Sequence, residues 1–232
     1  MTRTILTRYR TLCQRYTPQP RRPYEYPVNR YYAHRIDPLC TWVADHMGLS
    51  PNAVTLLALS AGLGAGLAIG YGHYLLAALL IQLHHLLDGV DGNLARYHQR
   101  CSAFGQRLDR FSDQVVRLSV FVSLAWVADV PAWLAWGMLA TIYLDLAVVQ
   151  WLILPYARRQ PLVRDRWKQW FMDRGMMPAF DVFTLYLIVT LCLLAHSPEI
   201  AVVLVAVLKT LDWNYRLYEV VRTALKRRKW TC

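Results

Sequence analysis

The sequence has no paired cysteines. Its five, Cys13, Cys40, Cys101, Cys192 and Cys232, are scattered, with no CxxC and no histidine at zinc-finger spacing, so neither a disulfide framework nor a zinc site is expected. A Gly-rich phosphate loop, an internal repeat and a low-complexity tract are also missing. The opening residues offer no apolar stretch of the roughly 7 to 15 residues that a secretory signal needs, so the first membrane helix is expected to serve as its own insertion signal. Acids are few as well, 15 Asp and Glu against 26 Lys and Arg, for a formal charge of +11.

What is present in quantity is apolar. Hydrophobic residues make up 56 % of 232 and the mean hydropathy is +0.21. Apolarity combined with basicity is the balance of a membrane protein with basic cytoplasmic margins. A nucleic-acid binder is also basic, but it has no use for apolar runs of about 20 residues, the length that spans a bilayer core. We expect no nucleic-acid partner.

Residues 1–27 are rich in Arg, Tyr and Pro without helical period, and read as a basic, loosely ordered segment near anionic headgroups. In 28–49, Tyr32, Ile36, Leu39, Val43 and Met47 recur at spacings of three and four, which predicts an amphipathic juxtamembrane helix, bent near Pro38. Six spans follow at about 52–71, 74–97, 103–127, 132–154, 169–195 and 199–224, within a transmembrane domain of 50–225 and ahead of a basic tail, 226–232. The fold expected is all-α: a six-helix integral membrane bundle preceded by an interfacial helix.

Orientation follows from the short joints, because Lys and Arg collect on the cytoplasmic side. The joints Gly72–His73, Ala128–Pro131 and His196–Glu199 contain neither, whereas the N-terminal segment, Arg96–Arg107 and Arg158–Lys168 are dense with them. Both termini are therefore expected in the cytoplasm, and the membrane is taken as a prokaryotic inner membrane. The Lys226-Arg227-Arg228-Lys229 run fits an anionic-lipid anchor.

The chemistry lies between Asp88 and Asp113. A charge at a helix centre in a bilayer costs about 2.5–3.5 kcal/mol on insertion scales, so an intramembrane carboxylate needs a partner. Asp88 and Asp91 are three apart and Asp109 and Asp113 four apart, so each pair shares a helix face. A short joint makes the two helices antiparallel neighbours, and all four acids are expected to converge near the cytoplasmic surface. Hard oxygen ligands with no Cys or His nearby favour Mg²⁺ or Mn²⁺, and two ions balance four charges. Such a cluster suits phosphoryl-type transfer. Gly89, Gly92, Ala95 and Gly105 among the acids either permit close helix packing or let a phosphate-bearing ligand approach the backbone, and beside the acids the ligand is favoured.

These residues resemble the signature of the CDP-alcohol phosphotransferase (CDP-alcohol phosphatidyltransferase) family, D-x2-D-G-x2-A-R-x8-G-x3-D-x3-D. Asp88, Asp91, Gly92, Ala95, Arg96, Gly105, Asp109 and Asp113 fill every fixed position over 26 residues. The resemblance implies attack of an acceptor hydroxyl on the β-phosphorus of a CDP-linked alcohol with release of CMP, in phospholipid biosynthesis. It also implies that Asp88, Asp91 and Asp109 hold metal gripping the donor pyrophosphate, that Asp113 is the base and touches a second metal, and that the enzyme is a homodimer. Gly92, Ala95, Arg96 and Gly105 are assigned with it to CDP-donor binding.

Ser50-Pro51-Asn52-Ala53-Val54-Thr55 resembles the Pro-Asn-x-x-Thr start common in the family, and Asn52 and Thr55 join the donor-binding set; Ser50 and Pro51 also have the chemistry of a helix start. Arg117, one turn after Asp113, and Lys209, Asp212 and Arg216 in the last span are charges that require a polar cavity, and are assigned to an acceptor pocket. His84 reads as a hydrogen-bonded packing residue, Asp145 and Asp181 as acids that pair with an Arg or cap the cavity, and Trp126, Trp133, Trp151, Trp167 and Trp170 as an interfacial belt.

The expected activity is metal-dependent transfer of phosphatidyl from CDP-diacylglycerol to a small hydroxyl acceptor. A soluble CDP-alcohol donor with a membrane alcohol acceptor is the alternative, and an ion or metal transporter the alternative from another class. Gln114 stands after the last motif acid where several members that use glycerol phosphate or inositol phosphate carry Lys or Arg. That departure argues against a phosphorylated acceptor, but leaves inositol phosphate, glycerol phosphate, serine and others open.

Overall fold

In the computed structural model, residues 11–16 and 24–228 are described, and every regular element among them is helical. A π turn, Asn29–Ala33, leads into α1, His34–His46; then come α2, Pro51–Gly70, α3, Tyr74–Tyr97, and α4, Ala103–Val127. A further helix, α5, Ala132–Val148, runs through a second π turn, Val149–Ile153, into α6, Leu154–Arg159. The chain closes with α7, Arg166–Asp173, α8, Val182–Leu194, and α9, Pro198–Arg228.

The sequence dictates where these helices start. Ser50 caps α2, its hydroxyl accepting from the Ala53 N–H at 3.2 Å, with Pro51 in the first turn where its missing N–H costs nothing. Ser102 does the same for α4 at the Gly105 N–H, 3.0 Å. The α2–α3 joint turns at Gly72, whose φ of +74° lies in the left-handed region that a side chain resists.

α2 packs between α3 and α4. A Cβ on Gly62 would run into the Val116 side chain and one on Gly66 into Ser119, so two bare backbone positions set how closely α2 and α4 approach. Around this seam lies one apolar core, including Ile69, Ile81, Val116, Phe121, Leu124, Leu185, Leu193 and Val205. The outer faces are apolar too: Leu67, Leu79, Leu118, Val207 and Leu211 stand exposed, and the five tryptophans assigned to a belt are all exposed. Among the described residues, Pro51–Gly70 and Ala132–Arg159 are by themselves long and apolar enough to cross a membrane. The other long helices fall short because they carry the charged sequences of the site.

Two expectations change. The span drawn at 169–195 is two helices, because Gly175 at φ +72° ends the first turn sequence, Pro178 follows, and Asp181 restarts a helix by capping Thr184 N–H at 3.1 Å. Pro38 lies inside an unbroken α1, and the irregular turn is upstream at Asn29–Ala33. The stripe of α1 fits a surface helix: Ala33, Asp37, Thr41 and Ala44 are buried, while Leu39, Val43 and Met47 point outward.

Parts of 1–27 are anchored rather than loose; residues 1–10 and 17–23 of that segment, and 229–232 of the basic tail, lie outside the described residues. Glu25 exchanges backbone hydrogen bonds with Gly175 and Met177, at 3.1 and 2.9 Å. Tyr16 is buried against Tyr97 and donates to Asp45 Oδ2 at 2.6 Å, while His98 Nε2 is 2.8 Å from Asp45 Oδ1. The Tyr16 hydrogen bond, helped by His98, holds the Asp45 carboxyl below its ordinary range. A lowered acid pKa stabilises above the unfolded value near ~3.9 and is lost as pH falls through the folded one. Docking of residues 11–16 should therefore loosen under acid, seen as faster amide exchange there, and Asp45→Asn should loosen it already at pH 7; unchanged exchange in the variant would exclude Asp45 as the anchor.

Candidate active site

The C-terminal half of α3 and the first half of α4 face each other across the joint 98–102. Helical spacing brings carboxylate oxygens of Asp88, Asp109 and Asp113 all within 4.8 Å of one another, each side chain partly exposed. None of the three forms an ion pair with a described Lys, Arg or His. Three carboxylates at that separation repel unless they share protons or a cation sits among them, and an all-oxygen donor set is what Mg²⁺ or Mn²⁺ takes. The residues present fit a hard divalent ion.

Asp91, the fourth acid of the set, lines the adjoining cavity together with Asp109. It is buried, and Thr55 Oγ1 donates to its Oδ2 at 2.5 Å. That bond gives the carboxylate a partner on α2.

That cavity, of about 170 Å³, is lined by Asn52, Thr55, Gly92, Ala95, Arg96 and Gly105, the whole set assigned from sequence to the donor, together with Asp91 and Asp109. Its small residues have distinct reasons. A Cβ on Gly105 would come within 3.1 Å of Asn52 Oδ1, and one on Gly92 within 3.2 Å of the Arg96 guanidinium, so both keep the cavity wall bare. Gly89 instead serves packing, because a Cβ there would meet the Asp37 carboxylate of α1 at 3.1 Å. Arg96 Nη2 donates to Asn93 Oδ1 at 3.0 Å, which fixes the guanidinium along the helix. Arg100, Cys101, Ser102 and Gln106 also line the cavity and were not singled out in the sequence. The joint between two acid-bearing helices was the available signal.

A second cavity, about 120 Å³, is lined by Arg117, Lys209 and Arg216, with Asp145 and Asp181. Lys209 Nζ is 2.6 Å from Asp145 and 3.6 Å from Asp212, and donates to the Phe180 carbonyl at 2.7 Å. Asp212 accepts two bonds from Arg216, at 2.7 and 3.2 Å. Arg117 Nη1 donates to Gln114 Oε1 at 3.1 Å. Asp145 thus pairs with a lysine rather than an arginine, and Asp181 caps a helix while lining the cavity. His84 is structural, its Nδ1 3.0 Å from the Ala58 carbonyl and its ring edge-on to Tyr186.

The family model described as CDP-alcohol phosphatidyltransferase matches residues 48–212. An inner membrane protein of Escherichia coli K12, YnjF, is 38 % identical over 81 residues, 34 % of this chain and 39 % of that protein. A phosphatidylinositol phosphate synthase of Streptomyces avermitilis is 39 % identical over 84 residues, 35 % of this chain and 34 % of that one. The matched stretches thus span well under half of either relative. The apo crystal structure of Mycobacterium tuberculosis phosphatidylinositol phosphate synthase superposes with a TM-score of 0.48 at 20 % identity, over 78 % of this chain and 95 % of that one.

Proposed function

This chain belongs to the CDP-alcohol phosphatidyltransferase family and is an integral membrane protein, and from that premise we propose that it transfers phosphatidyl from CDP-diacylglycerol to a small hydroxyl acceptor, releasing CMP. The observation that carries this reading is the adjacency of the Asp88, Asp109, Asp113 trio to a cavity lined by all six donor-assigned residues. Asp88, Asp109 and Asp113, with Asp91 close by, would hold Mg²⁺ or Mn²⁺, which would neutralise charge on phosphate oxygens.

Arg96 and the bare backbone at Gly92 and Gly105 receive the CDP portion, and Asn52 and Thr55 wall it from α2. The acceptor hydroxyl lies beside Asp113. Its oxygen forms the new bond to the β-phosphorus, its proton passes to the Asp113 carboxylate, and the pyrophosphate P–O bond breaks with its electron pair leaving on CMP. General-base help of this kind is worth about 10²–10⁴ in rate. Arg117, Lys209, Asp212 and Arg216 shape the acceptor side.

In the same reading the transmembrane domain of 50–225 crosses an inner membrane six times as a homodimer, with both termini and the site cytoplasmic. The outward Leu39, Val43 and Met47 stripe of α1 then lies in the interface. Purified protein in lipid nanodiscs with CDP-diacylglycerol, Mg²⁺ or Mn²⁺ and a panel of hydroxyl acceptors should release CMP, and EDTA should stop it. CMP only from soluble CDP-alcohols would reverse donor and acceptor. No CMP from any CDP donor, with metal flux into liposomes, would replace the enzyme by a transporter.

A further inference from the structure

The second cavity holds its charges in balance. Arg117, Lys209 and Arg216 line it with Asp145 and Asp181, and Asp212, paired with Lys209 and Arg216 behind the wall, completes three cations against three carboxylates. Two of the cations are committed, Lys209 to Asp145, Asp212 and a carbonyl, Arg216 to both oxygens of Asp212. A phosphate monoester entering here would bring close to two uncompensated negative charges into a low-dielectric site, with Arg117 alone to meet them.

Asp145 gives the positive half of the case. It is 6 % exposed, its Oδ2 is on Lys209, and its Oδ1 has no hydrogen-bond partner among the described residues. A buried carboxylate oxygen without a donor costs free energy that a ligand O–H or N–H recovers. The wall therefore asks for hydrogen-bond donors and offers little to an anion.

We infer that the acceptor is a small alcohol with no net negative charge whose hydroxyl or ammonium groups donate to Asp145, and not a phosphorylated alcohol. This rests on the transferase reading above. An uncharged polyol and a zwitterionic hydroxy amino acid share the required chemistry; Arg117 would meet the carboxylate of the latter.

The experiment pairs acceptors that differ in phosphate: inositol with inositol 1-phosphate, glycerol with glycerol 3-phosphate, serine with phosphoserine. CMP release from CDP-diacylglycerol in nanodiscs should show kcat/KM at least tenfold higher for the unphosphorylated member of the preferred pair, and which pair it is separates polyol from zwitterion. Asp145→Asn, which removes one negative charge from the cavity, should cut that ratio at least tenfold through the acceptor KM and leave the CDP-diacylglycerol KM unchanged; Asp145→Glu should keep the preference. Preference for a phosphorylated member overturns the inference and leaves the transferase reading standing. Equal loss with both members in Asp145→Asn overturns the role of Asp145. No CMP with any acceptor overturns both readings.

Discussion

Asp113→Asn should lower CMP release at least ~10³-fold while leaving expression, detergent size-exclusion behaviour and melting temperature near those of the parent protein. The substitution keeps shape and volume and removes the atom that takes the acceptor proton in the proposed mechanism, a contribution of about 10²–10⁴ in rate, or roughly 3–5 kcal/mol of barrier at 1.36 kcal/mol per tenfold. The same change removes one carboxylate from a trio whose oxygens lie within 4.8 Å of one another, so metal affinity falls as well. Saturating Mn²⁺ separates the two effects. If activity returns as Mn²⁺ is raised, Asp113 serves as a ligand only; if the loss persists with the ion bound, as followed by Mn²⁺ electron paramagnetic resonance, it is the base. Retention of more than a tenth of parental activity at ordinary metal concentration would remove Asp113 from the mechanism.

The largest expected effect on stability lies elsewhere. Lys168 on α7 and Glu219 on α9 form an ion pair with both side chains almost wholly buried, and Lys168 Nζ is also 5.0 Å from the centre of the Tyr215 ring. Removing one partner strands the other charge, which costs about 3–5 kcal/mol, whereas replacing both by apolar residues of similar size is often neutral. Lys168→Met alone should therefore sharply lower the midpoint in a denaturant titration, and Lys168→Met with Glu219→Leu should recover most of it. A double variant as unstable as the single would mean that the pair contributes through packing or through the Thr223 and Val163 bonds beside it. Activity should fall with stability here, because α9 also carries Lys209, Asp212 and Arg216.

What the sequence made legible was local. Carboxylates three and four apart on a helix share a face by geometry alone, and a short joint makes neighbours of the helices that carry them, so the trio and the donor cavity were open to anticipation. The Ser50 start of α2 was readable for the same reason. Distant partners were not. Lys209 is 64 positions from Asp145 and Lys168 51 from Glu219, and no spacing rule links them. Asp91 shows a subtler limit: its spacing from Asp88 is right for a shared face, but its partner is a hydroxyl 36 residues away, on Thr55, which no spacing rule foretells. The break at 174–181 escaped a reading by hydropathy because the strongly apolar 182–194 and the short Trp170-Phe171-Met172 run before Gly175 average into one apparent span.

The bare contacts of α2 against α4 make that helix a lever. Gly66 rests directly on Ser119 as a fulcrum, and Asn52 and Thr55 lie 14 and 11 residues away on the same rod. At 1.5 Å per residue the longer arm is about 21 Å, so a tilt of only ~5° at the fulcrum carries its tip through about 2 Å, more than the tolerance of a hydrogen bond. Changes made deep in the apolar seam, far from any charge, therefore act on the wall of the proposed donor cavity, and the geometry at its mouth is written partly in residues that do not line it.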